Sequence, residues 1–373
     1  MNKISPKISV VMSVFNGESY LHESIETILS QTFNDFEFII IDDYSKDDTW
    51  KILTKYAEQD KRIKLVKNEH NLGLTKSLNK GIKLAQGEYI ARQDADDISL
   101  PKRFEKQIEI LNNSPEVVLV SCNIEVINSQ GVPIRKYEQA CDSHWVNWYL
   151  LFYNHVNGHS QVMFRRKAVE DLGYYSEIRR YSQDYELWCR LSRIGSIVIL
   201  PETLQKMRIH NDSTSAVNSS KQQTLSLEQS KGNIEQLIGK EISLEETKNL
   251  RLLWSGHYWW KKSLPNSKKV RIIHSRQKEI YQAFIKQHDM DLVMSQQLRH
   301  LIGQHFIYWI QSLSILRRLP SRIWISLYAF TWHPLGVLKL WFEECKRVIT
   351  YLLTTRKNNE YITTKNISTK GIN

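Results

Sequence analysis

The chain has 373 residues, which is long enough for two domains, each with its own hydrophobic core. Its composition, 41% hydrophobic and 24% charged, is that of an ordinary globular protein and excludes a disordered or collagen-like chain. The four cysteines have neither the spacing of zinc ligands nor that of a disulfide framework, which favours a reducing, intracellular environment. We expect no signal peptide, because the N-terminus leads directly into an apolar run.

The net charge of +11 is divided unevenly along the chain. Residues 1–219 contain 27 basic and 29 acidic side chains, whereas residues 220–373 contain 24 basic and 11 acidic side chains. A polar stretch between Asn211 and Ser220 separates the two parts. We therefore predict two regions, 1–219 and 220–373, that meet different partners.

The first region alternates between short apolar runs and amphipathic segments. Near-continuous apolar runs, typical of strands buried on both faces, lie at residues 7–14, 36–41, 62–66, 89–91 and 117–120. Apolar residues recur at helical spacing in residues 21–29, 49–58, 73–84 and 101–111. Single helices between successive strands predict a parallel α/β sheet with right-handed crossovers.

Beyond residue 120 the pattern is less regular. Further strands are predicted at residues 161–164 and 197–200, the second ending at Pro201, with a helix between them at residues 184–192. An aromatic cluster lies between Trp145 and Tyr153. Such a cluster is typical of a hydrophobic core, but it also suits stacking on a sugar ring, so both interpretations stay open.

Three carboxylates, Asp94, Asp96 and Asp97, follow the strand at residues 89–91. Like charges this close raise each other's pKa unless a cation lies between them. Mg²⁺ or Mn²⁺, which prefer oxygen ligands, would suit such a site. The alternative is an acidic surface turn. A position after a strand of an alternating strand–helix series favours a ligand site.

Six short motifs occur in order at residues 8–16, 41–49, 71–74, 87–90, 94–97 and 183–188. Together they closely resemble the family 2 glycosyltransferases, and the resemblance covers about the first 210 residues. It implies a Rossmann-like GT-A domain and an inverting transferase that takes a sugar from a nucleoside diphosphate. The region from residue 220 is expected to be mostly helical.

The resemblance also implies roles for residues on the donor side. Ser13, Phe15 and Asn16 would line the base and ribose pocket. Asp43 would accept the N3–H of uracil, and a carboxylate facing an imide donor selects uridine over cytidine. A UDP-sugar is therefore the expected donor.

Asp94 and Asp96 match the Asp-x-Asp motif of the family. The resemblance implies that Asp96 ligates the divalent metal directly, whereas Asp94 ligates it, reaches the ribose or holds a bound water. His210 matches a histidine that completes the metal or diphosphate site in relatives. Its alternative interpretation is a surface loop histidine.

Asp184 is the candidate general base, because inversion needs a carboxylate that deprotonates the acceptor hydroxyl. Its place at the start of a helix predicts an ionised carboxylate, since the helix dipole favours negative charge there. Relatives commonly carry Glu-Asp at this point, where this chain has Gln183-Asp184. His159 falls where the family lines its acceptor side. Glu186 and His159 are the alternative bases.

Two stretches of the C-terminal region carry no formal charge, one between Arg299 and Arg317 and the other between Arg322 and Lys339. Each is shorter than the ~20 residues of a spanning helix, and both are rich in Trp and Tyr. Aromatic residues beside Arg and Lys suit a bilayer interface, so we predict peripheral membrane contact through residues 299–357. The alternative is a helical domain that packs these residues inward.

The resulting hypothesis is a metal-dependent glycosyltransferase that acts on a lipid-linked or surface-polysaccharide acceptor. Its expected place is the cytoplasm, peripheral on the inner face of the cytoplasmic membrane. Two alternatives remain: a metal-dependent nucleotidyl transferase, and a non-catalytic protein that binds anionic polymer through its basic region. We expect no nucleic-acid partner, because the basic region carries no nucleic-acid motif.

Overall fold

The computed structural model describes residues 5–139, 141, 143–156, 158–211, 213, 219–254, 267–312, 319–343 and 346. Two compact units are present, Met1–Gln236 and Leu237–Asn373. A helix, Ser219–Ile238, begins at the boundary predicted from the sequence, and all but its last two residues belong to the first unit. There the side-chain amide of Asn233 donates to the carbonyl of Leu150 at 2.8 Å.

The described part of the first unit contains nine strands and eight helices. The strands are β1 (Ile8–Val14), β2 (Phe36–Asp42), β3 (Ile63–Lys67), β4 (Tyr89–Arg92), β5 (Ile98–Ser99), β6 (Val117–Ile127), β7 (Pro133–Tyr137), β8 (Met163–Arg165) and β9 (Ser196–Arg208). The helices are α1 (Leu21–Leu29), α2 (Thr49–Gln59), α3 (Leu74–Leu84), α4 (Arg103–Asn113), α5 (Ser143–Leu150), α6 (Arg166–Asp171), α7 (Gln183–Leu191) and α8 (Ser219–Ile238).

The strands form one sheet in the order β3-β2-β1-β4-β8-β6-β9-β5, with β7 paired to β6. The predicted α/β fold is confirmed. Strands β1 to β4 are parallel, as the alternation of strands and helices predicts. The sheet as a whole is mixed, because β8 enters antiparallel between β4 and β6.

Helices cover both faces of this sheet because its strands are apolar on both sides. In β1, Val10 and Met12 face a core that includes Ile25 of α1 and Phe104 of α4. Val11 faces the opposite core, which α3 and α7 complete. The period of two along the strand therefore sends successive side chains to different helix layers.

Strand β9 differs from its sequence prediction. It continues past Pro201 to Arg208 instead of ending at the proline. The register with β6 shifts near Cys122, where the proline lies, and pairing then resumes as far as Ile127 with Arg208. This extension matters for the site, because it brings residues after 203 back to the Asp94–Asp97 turn.

The aromatic cluster is largely core. Trp148 and Phe152 are fully buried and contact each other edge to face, with ring centroids 5.5 Å apart. Tyr149 and Tyr153 are partly buried and contact His155. These contacts favour the packing interpretation over stacking on a sugar for Trp148 and Phe152.

The second unit is helical in its described residues, as predicted. Its helices include α9 (Leu244–Trp254), α10 (Ser267–Gln287), α11 (Leu292–Ser312) and α12 (Leu319–Trp332). Trp309 and Trp332 are buried between helices, whereas Trp324 and Trp341 are 47% and 39% exposed. The packing interpretation therefore holds for Trp309 and Trp332, and the interfacial interpretation stays open for Trp324 and Trp341. No described helix is long and apolar enough to span a bilayer.

Candidate active site

The carboxyl ends of β1, β2 and β4 meet at one edge of the sheet, because the three strands are parallel neighbours. The chain runs outward from β1 through β2 and β3, then returns to β4 on the other side of β1. Open α/β sheets bind ligands at such a switch point. The structure brings Phe15, Asp43 and Asp94, which follow the three strands, to this edge.

Asn16 connects the loops that follow β1 and β2. It has a left-handed backbone with φ of 52°. Its side-chain oxygen accepts from the backbone N–H of Lys46 at 2.9 Å, and its own N–H donates to Ser45 Oγ at 3.0 Å. Phe15 beside it is 49% exposed and Ser13 is half-buried. The exposed ring gives this edge an apolar surface.

Asp43 is 2% exposed and holds the turn before α3. Its Oδ1 accepts from the N–H of Leu72 and from the amide of Asn68, each at 2.8 Å, and its Oδ2 accepts from the N–H of Gly73 at 2.8 Å. A carboxylate offers about four acceptor positions, so one position on Oδ2 remains for a further donor. Asp43 therefore has a structural function beside the predicted recognition of uracil.

Asp94 pairs with Arg92, a guanidinium that is itself fully buried. The Asp94 side chain is 31% exposed, so its carboxylate is neutralised on one side and open on the other. Its backbone N–H donates to Ser160 Oγ at 2.9 Å. Asp94 is thus fixed both at its backbone and at its carboxylate.

Asp96 lies 3.0 Å from His210, measured from Asp96 Oδ2 to Nε2 of the ring. His210 follows the extended end of β9 and is only 16% exposed, so it is not a free surface histidine. Burial and the nearby charge of Asp94 raise the pKa of Asp96. The carboxylate therefore lies where a further positive charge would be stabilised.

Asp97 is a structural carboxylate. It is buried, and its Oδ1 accepts from the backbone N–H of Arg208 at 2.9 Å. Burial and the charge of Asp96 raise its pKa well above the usual range. Arg208 also donates through Nε to the carbonyl of Asp96 at 3.0 Å, which fastens the acidic turn to β9.

The residues present fit a divalent cation that arrives with a diphosphate. Within the described residues, no group of three or more His, Cys, Asp or Glu side chains converges to form a complete cage. Mg²⁺ is usually held by one or two carboxylates together with substrate phosphates, not by a cage of protein ligands. Asp96 and His210 supply such a partial set, and the raised pKa of Asp96 reflects charge that a cation would offset.

Asp184 lies in the first turn of α7, where its Oδ2 accepts from Asn154 Nδ2 at 2.8 Å. Burial raises its pKa to about 6, and this outweighs the backbone N–H groups of the helix terminus, which lower it. Burial therefore opposes the helix dipole, which by itself favours the charged form. Near neutral pH the carboxylate is still mostly ionised, and its pKa is close to that of an efficient base.

Glu186, the alternative base, is engaged elsewhere. Arg190 on the next turn of α7 donates to both of its oxygens at 2.8 Å. The same guanidinium binds the carbonyls of Leu172 and Tyr174. Glu186 therefore anchors the helix to the preceding turn.

His159 lies between Tyr175 and Arg92. Its Nε2 is 2.7 Å from the hydroxyl of Tyr175 and 3.3 Å from Nε of Arg92. Burial and the charge of Arg92 hold its pKa well below the usual range, so the ring is neutral. This places His159 against Arg92, one contact away from Asp94.

Sequence reasoning missed Arg92, Asn154, Tyr175 and Arg208. Arg92 stands within the acidic stretch, and a basic residue at the end of a buried strand beside three carboxylates was a usable signal. Asn154 and Tyr175 gave none, because their importance comes from partners distant in the sequence.

Comparisons with known proteins identify the family of this chain. The profile described as Glycosyl transferase family 2 matches residues 9–173. An uncharacterized glycosyltransferase of Haemophilus influenzae is 32% identical over 63% of this chain and 75% of its own length. The putative glycosyltransferase EpsE of Bacillus subtilis is 36% identical, over 56% of this chain and 74% of EpsE. This chain belongs to glycosyltransferase family 2.

This family 2 glycosyltransferase also resembles the amylovoran biosynthesis glycosyltransferase AmsE of Erwinia amylovora, at 33% identity over 55% of this chain and 77% of AmsE. Among solved structures, S. aureus TarS 1-349 in complex with UDP-GlcNAc matches with a TM-score of 0.52 and 14% identity. The match covers 87% of this chain and 91% of that one. It supports the predicted GT-A fold with a helical C-terminal region. Family membership favours glycosyl transfer over nucleotidyl transfer and over non-catalytic polymer binding.

The raised pKa of Asp184 predicts a stability effect. Because the folded protein holds this proton more tightly than the unfolded chain, ionisation destabilises the fold as pH rises from 3.8 to about 6, and the penalty persists above that. Asp184→Asn should therefore increase the free energy of unfolding at pH 7.5 by up to about 3 kcal/mol, with little change below about pH 4. Urea denaturation at both pH values measures this.

Glu186→Gln is the control on the same helix turn. It removes a paired carboxylate, so it should lower stability at pH 7.5. A loss of stability at pH 7.5 in Asp184→Asn, like that expected for Glu186→Gln, would mean that the buried Asp184 carboxylate does not destabilise the folded protein.

Proposed function

We propose that this enzyme transfers a sugar, with inversion, from a UDP-sugar to a glycan or glycolipid acceptor. The observation that carries the proposal is the meeting of Asp43, Asp94 and Asp96 at one edge of the sheet, together with a fourth carboxylate, Asp184, whose pKa suits a base. The charge of Asp94 also contributes to the raised pKa of Asp184.

On the donor side, the remaining acceptor position of Asp43 Oδ2 would take the N3–H of uracil. Phe15, Ser13 and Asn16 would border the base and ribose. The fold match to a TarS complex with UDP-GlcNAc supports a uridine nucleotide as the ligand of this edge. Asp96 and His210 would hold the divalent metal, Mn²⁺ or Mg²⁺, which when bound offsets charge on the diphosphate.

On the acceptor side, Asp184 would take the proton from the attacking hydroxyl. As that oxygen forms its bond to the anomeric carbon, the bond from this carbon to the diphosphate breaks and UDP leaves. Attack from the face opposite the diphosphate inverts the anomeric configuration. The hydrogen bond from Asn154 would keep one oxygen of the base fixed during this step.

The acceptor class rests on the relatives. AmsE is named for amylovoran biosynthesis, and we extend this role to a lipid-linked or growing surface-polysaccharide acceptor for the present enzyme. Such an acceptor is presented at a membrane surface, so we next consider whether the second unit can contact a membrane.

The second unit exposes a run of large apolar side chains on α12 and the residues that follow it. The exposed set is Ile323, Trp324, Leu327, Phe330, Leu335, Leu338, Trp341 and Phe342. The rings of Phe330 and Trp341 stack with centroids 6.5 Å apart, so the two segments form one surface, which we call the apolar face. The region from residue 220 carries 24 basic and 11 acidic side chains. We propose that the apolar face contacts an anionic membrane, on the cytoplasmic side.

The metal hypothesis predicts that EDTA abolishes transfer and that Mn²⁺ or Mg²⁺ restores it. Asp96→Asn should lower activity by far more than ~10-fold, because loss of a ligand beside the diphosphate removes several kcal/mol of stabilisation. Asp171→Asn, at an exposed carboxylate, is the matched control. Full activity of the wild type in excess chelator would remove the metal from the mechanism.

The base hypothesis separates binding from chemistry. Asp184→Asn should leave UDP affinity nearly unchanged and lower kcat by ~10²–10⁴, the range for a lost general base. Glu186→Gln should retain kcat in its folded fraction, and Asp43→Ala should mainly weaken donor binding. A wild-type rate for Asp184→Asn at saturating acceptor would reassign the base.

The membrane hypothesis predicts that the full chain co-sediments with anionic vesicles and is partly released by high salt, since each engaged basic residue contributes ~1 kcal/mol. Replacing Trp324, Phe330 and Leu338 by Glu should abolish binding. Leu292→Glu, at an 82% exposed residue of the same unit, should not. Equal binding by both variants, or loss of self-association instead of vesicle binding in the triple variant, would contradict a membrane contact.

A further inference from the structure

Arg92 is an unusual residue for its position, because its side chain is fully buried at the end of β4. A buried guanidinium must satisfy five donors and balance its charge. Nη1 donates to the carbonyls of Val11 at 2.9 Å and Gln93 at 2.7 Å. Nε lies 3.3 Å from His159 Nε2, and Nη2 binds Asp94 Oδ1. The ion-pair partner of Arg92 is thus the first carboxylate of the Asp-x-Asp motif.

The backbone of Asp94 is fixed independently of Arg92. Its N–H donates to Ser160 Oγ at 2.9 Å, and its carbonyl accepts from Ser24 Oγ at 2.8 Å. What remains free is rotation of the carboxylate about its side-chain bonds. The bond from Arg92 to Oδ1 restricts this rotation and directs one oxygen toward the protein interior.

His159 and Tyr175 hold the other side of the guanidinium. Arg92 has only donors, so the imidazole must be neutral and must accept from it, in agreement with the lowered pKa of His159. The Tyr175 hydroxyl lies 2.7 Å from the same ring, and Asn79 fixes the backbone of Tyr175 through bonds to its N–H and carbonyl. A continuous chain of contacts therefore runs from Tyr175 through His159 and Arg92 to Asp94.

We propose that Arg92 is a positioning residue for the donor site: held by His159, it takes one oxygen of Asp94 and orients the other toward the diphosphate and its cation. The inference rests on the proposed function. It assigns direct ligation to Asp96 and His210, since Asp94 already has a cation on one side. His159 acts through Arg92, without contact to the donor or the acceptor.

A purely structural arginine occurs in the same sheet and shows the difference. Arg165 donates to the carbonyls of Val117 at 2.8 Å, Leu111 and Ser114. Arg165 is the last residue of β8 and pairs with Tyr89 at the start of β4, so it lies at the opposite end of β4 from Asp94. Arg92 and Arg165 are both tied to main-chain carbonyls, but only Arg92 contacts a residue of the candidate donor site.

The experiment compares UDP binding, measured by calorimetry with and without Mn²⁺, among the wild type, Arg92→Met and Arg165→Met in the full chain. Arg92→Met should weaken binding of UDP with Mn²⁺ by ~10–100-fold, the range for loss of a residue that orients a metal or diphosphate ligand. Arg165→Met should lower stability but leave UDP affinity within about twofold. Binding without Mn²⁺ should change less than binding with it.

Because Arg92→Met leaves Asp94 without its cation and is at risk of misfolding, variants of His159 keep the proposal testable. His159→Gln retains a carbonyl that accepts from Arg92, so it should bind UDP with Mn²⁺ nearly as well as the wild type. His159→Phe fills the space without an acceptor and should weaken binding in the same direction as Arg92→Met. If the His159 ring served only for packing, His159→Phe would not weaken UDP binding while His159→Gln preserved it.

The outcomes are distinct. Weakened binding in Arg92→Met and His159→Phe, with Arg165→Met and His159→Gln near the wild type, supports the positioning role. Wild-type affinity in folded Arg92→Met, or equal losses for both His159 variants, overturns it while the proposed function stands. Failure of the wild type itself to bind UDP overturns the proposed function and the inference together.

Discussion

Three carboxylates within four residues, at the poorly solvated end of a buried strand, are the constraint on which this site depends. Left alone, Asp94, Asp96 and Asp97 would repel one another, and burial would add to the cost. Each is stabilised by a different partner. The buried Arg92 forms an ion pair with Asp94, His210 contacts Asp96, and the backbone N–H of Arg208 donates to Asp97. Two of these partners come from one distant strand end.

The sheet topology is what delivers those partners. Strand β9 reaches the acidic turn only because it continues past Pro201 and pairs with the far half of β6 and with β5. A β9 that ended at the proline would leave Asp96 and Asp97 without His210 and Arg208. The irregular register near Cys122 is therefore part of how the site forms.

The first four strands and their helices were predictable because each element carries its own signal, an apolar run or a helical period. Strands within β6, β8 and β9 were also predicted, but the order and pairing of this part of the sheet were not. Strands β5 and β7 are short, and the position of β8 between β4 and β6 depends on pairing across distant residues. The continuation of β9 contradicts the local rule that proline ends a strand, because pairing with β6 resumes two residues later.

The candidate site likewise contains residues that the sequence could predict and residues that it could not. Asp43, Asp94, Asp96 and Asp184 stand in motifs and could be named from the sequence. The groups that set their charge and orientation are buried polar side chains whose partners are far along the chain, such as Arg92 with His159. His159 illustrates the limit, since its place in the sequence suggested a ligand contact and its surroundings indicate a contact to Arg92.

Helix α7 shows that environment, not position, assigns roles to neighbouring carboxylates. Asp184 and Glu186 lie in the same first turn and experience the same helix terminus. Glu186 meets a guanidinium that binds both its oxygens, so its charge is neutralised and its geometry fixed. Asp184 accepts from the amide of Asn154 and from backbone N–H groups of the helix terminus, and burial raises its pKa to about 6. A carboxylate held in this way can gain and lose a proton near neutral pH, whereas its neighbour is an anchor held by a guanidinium.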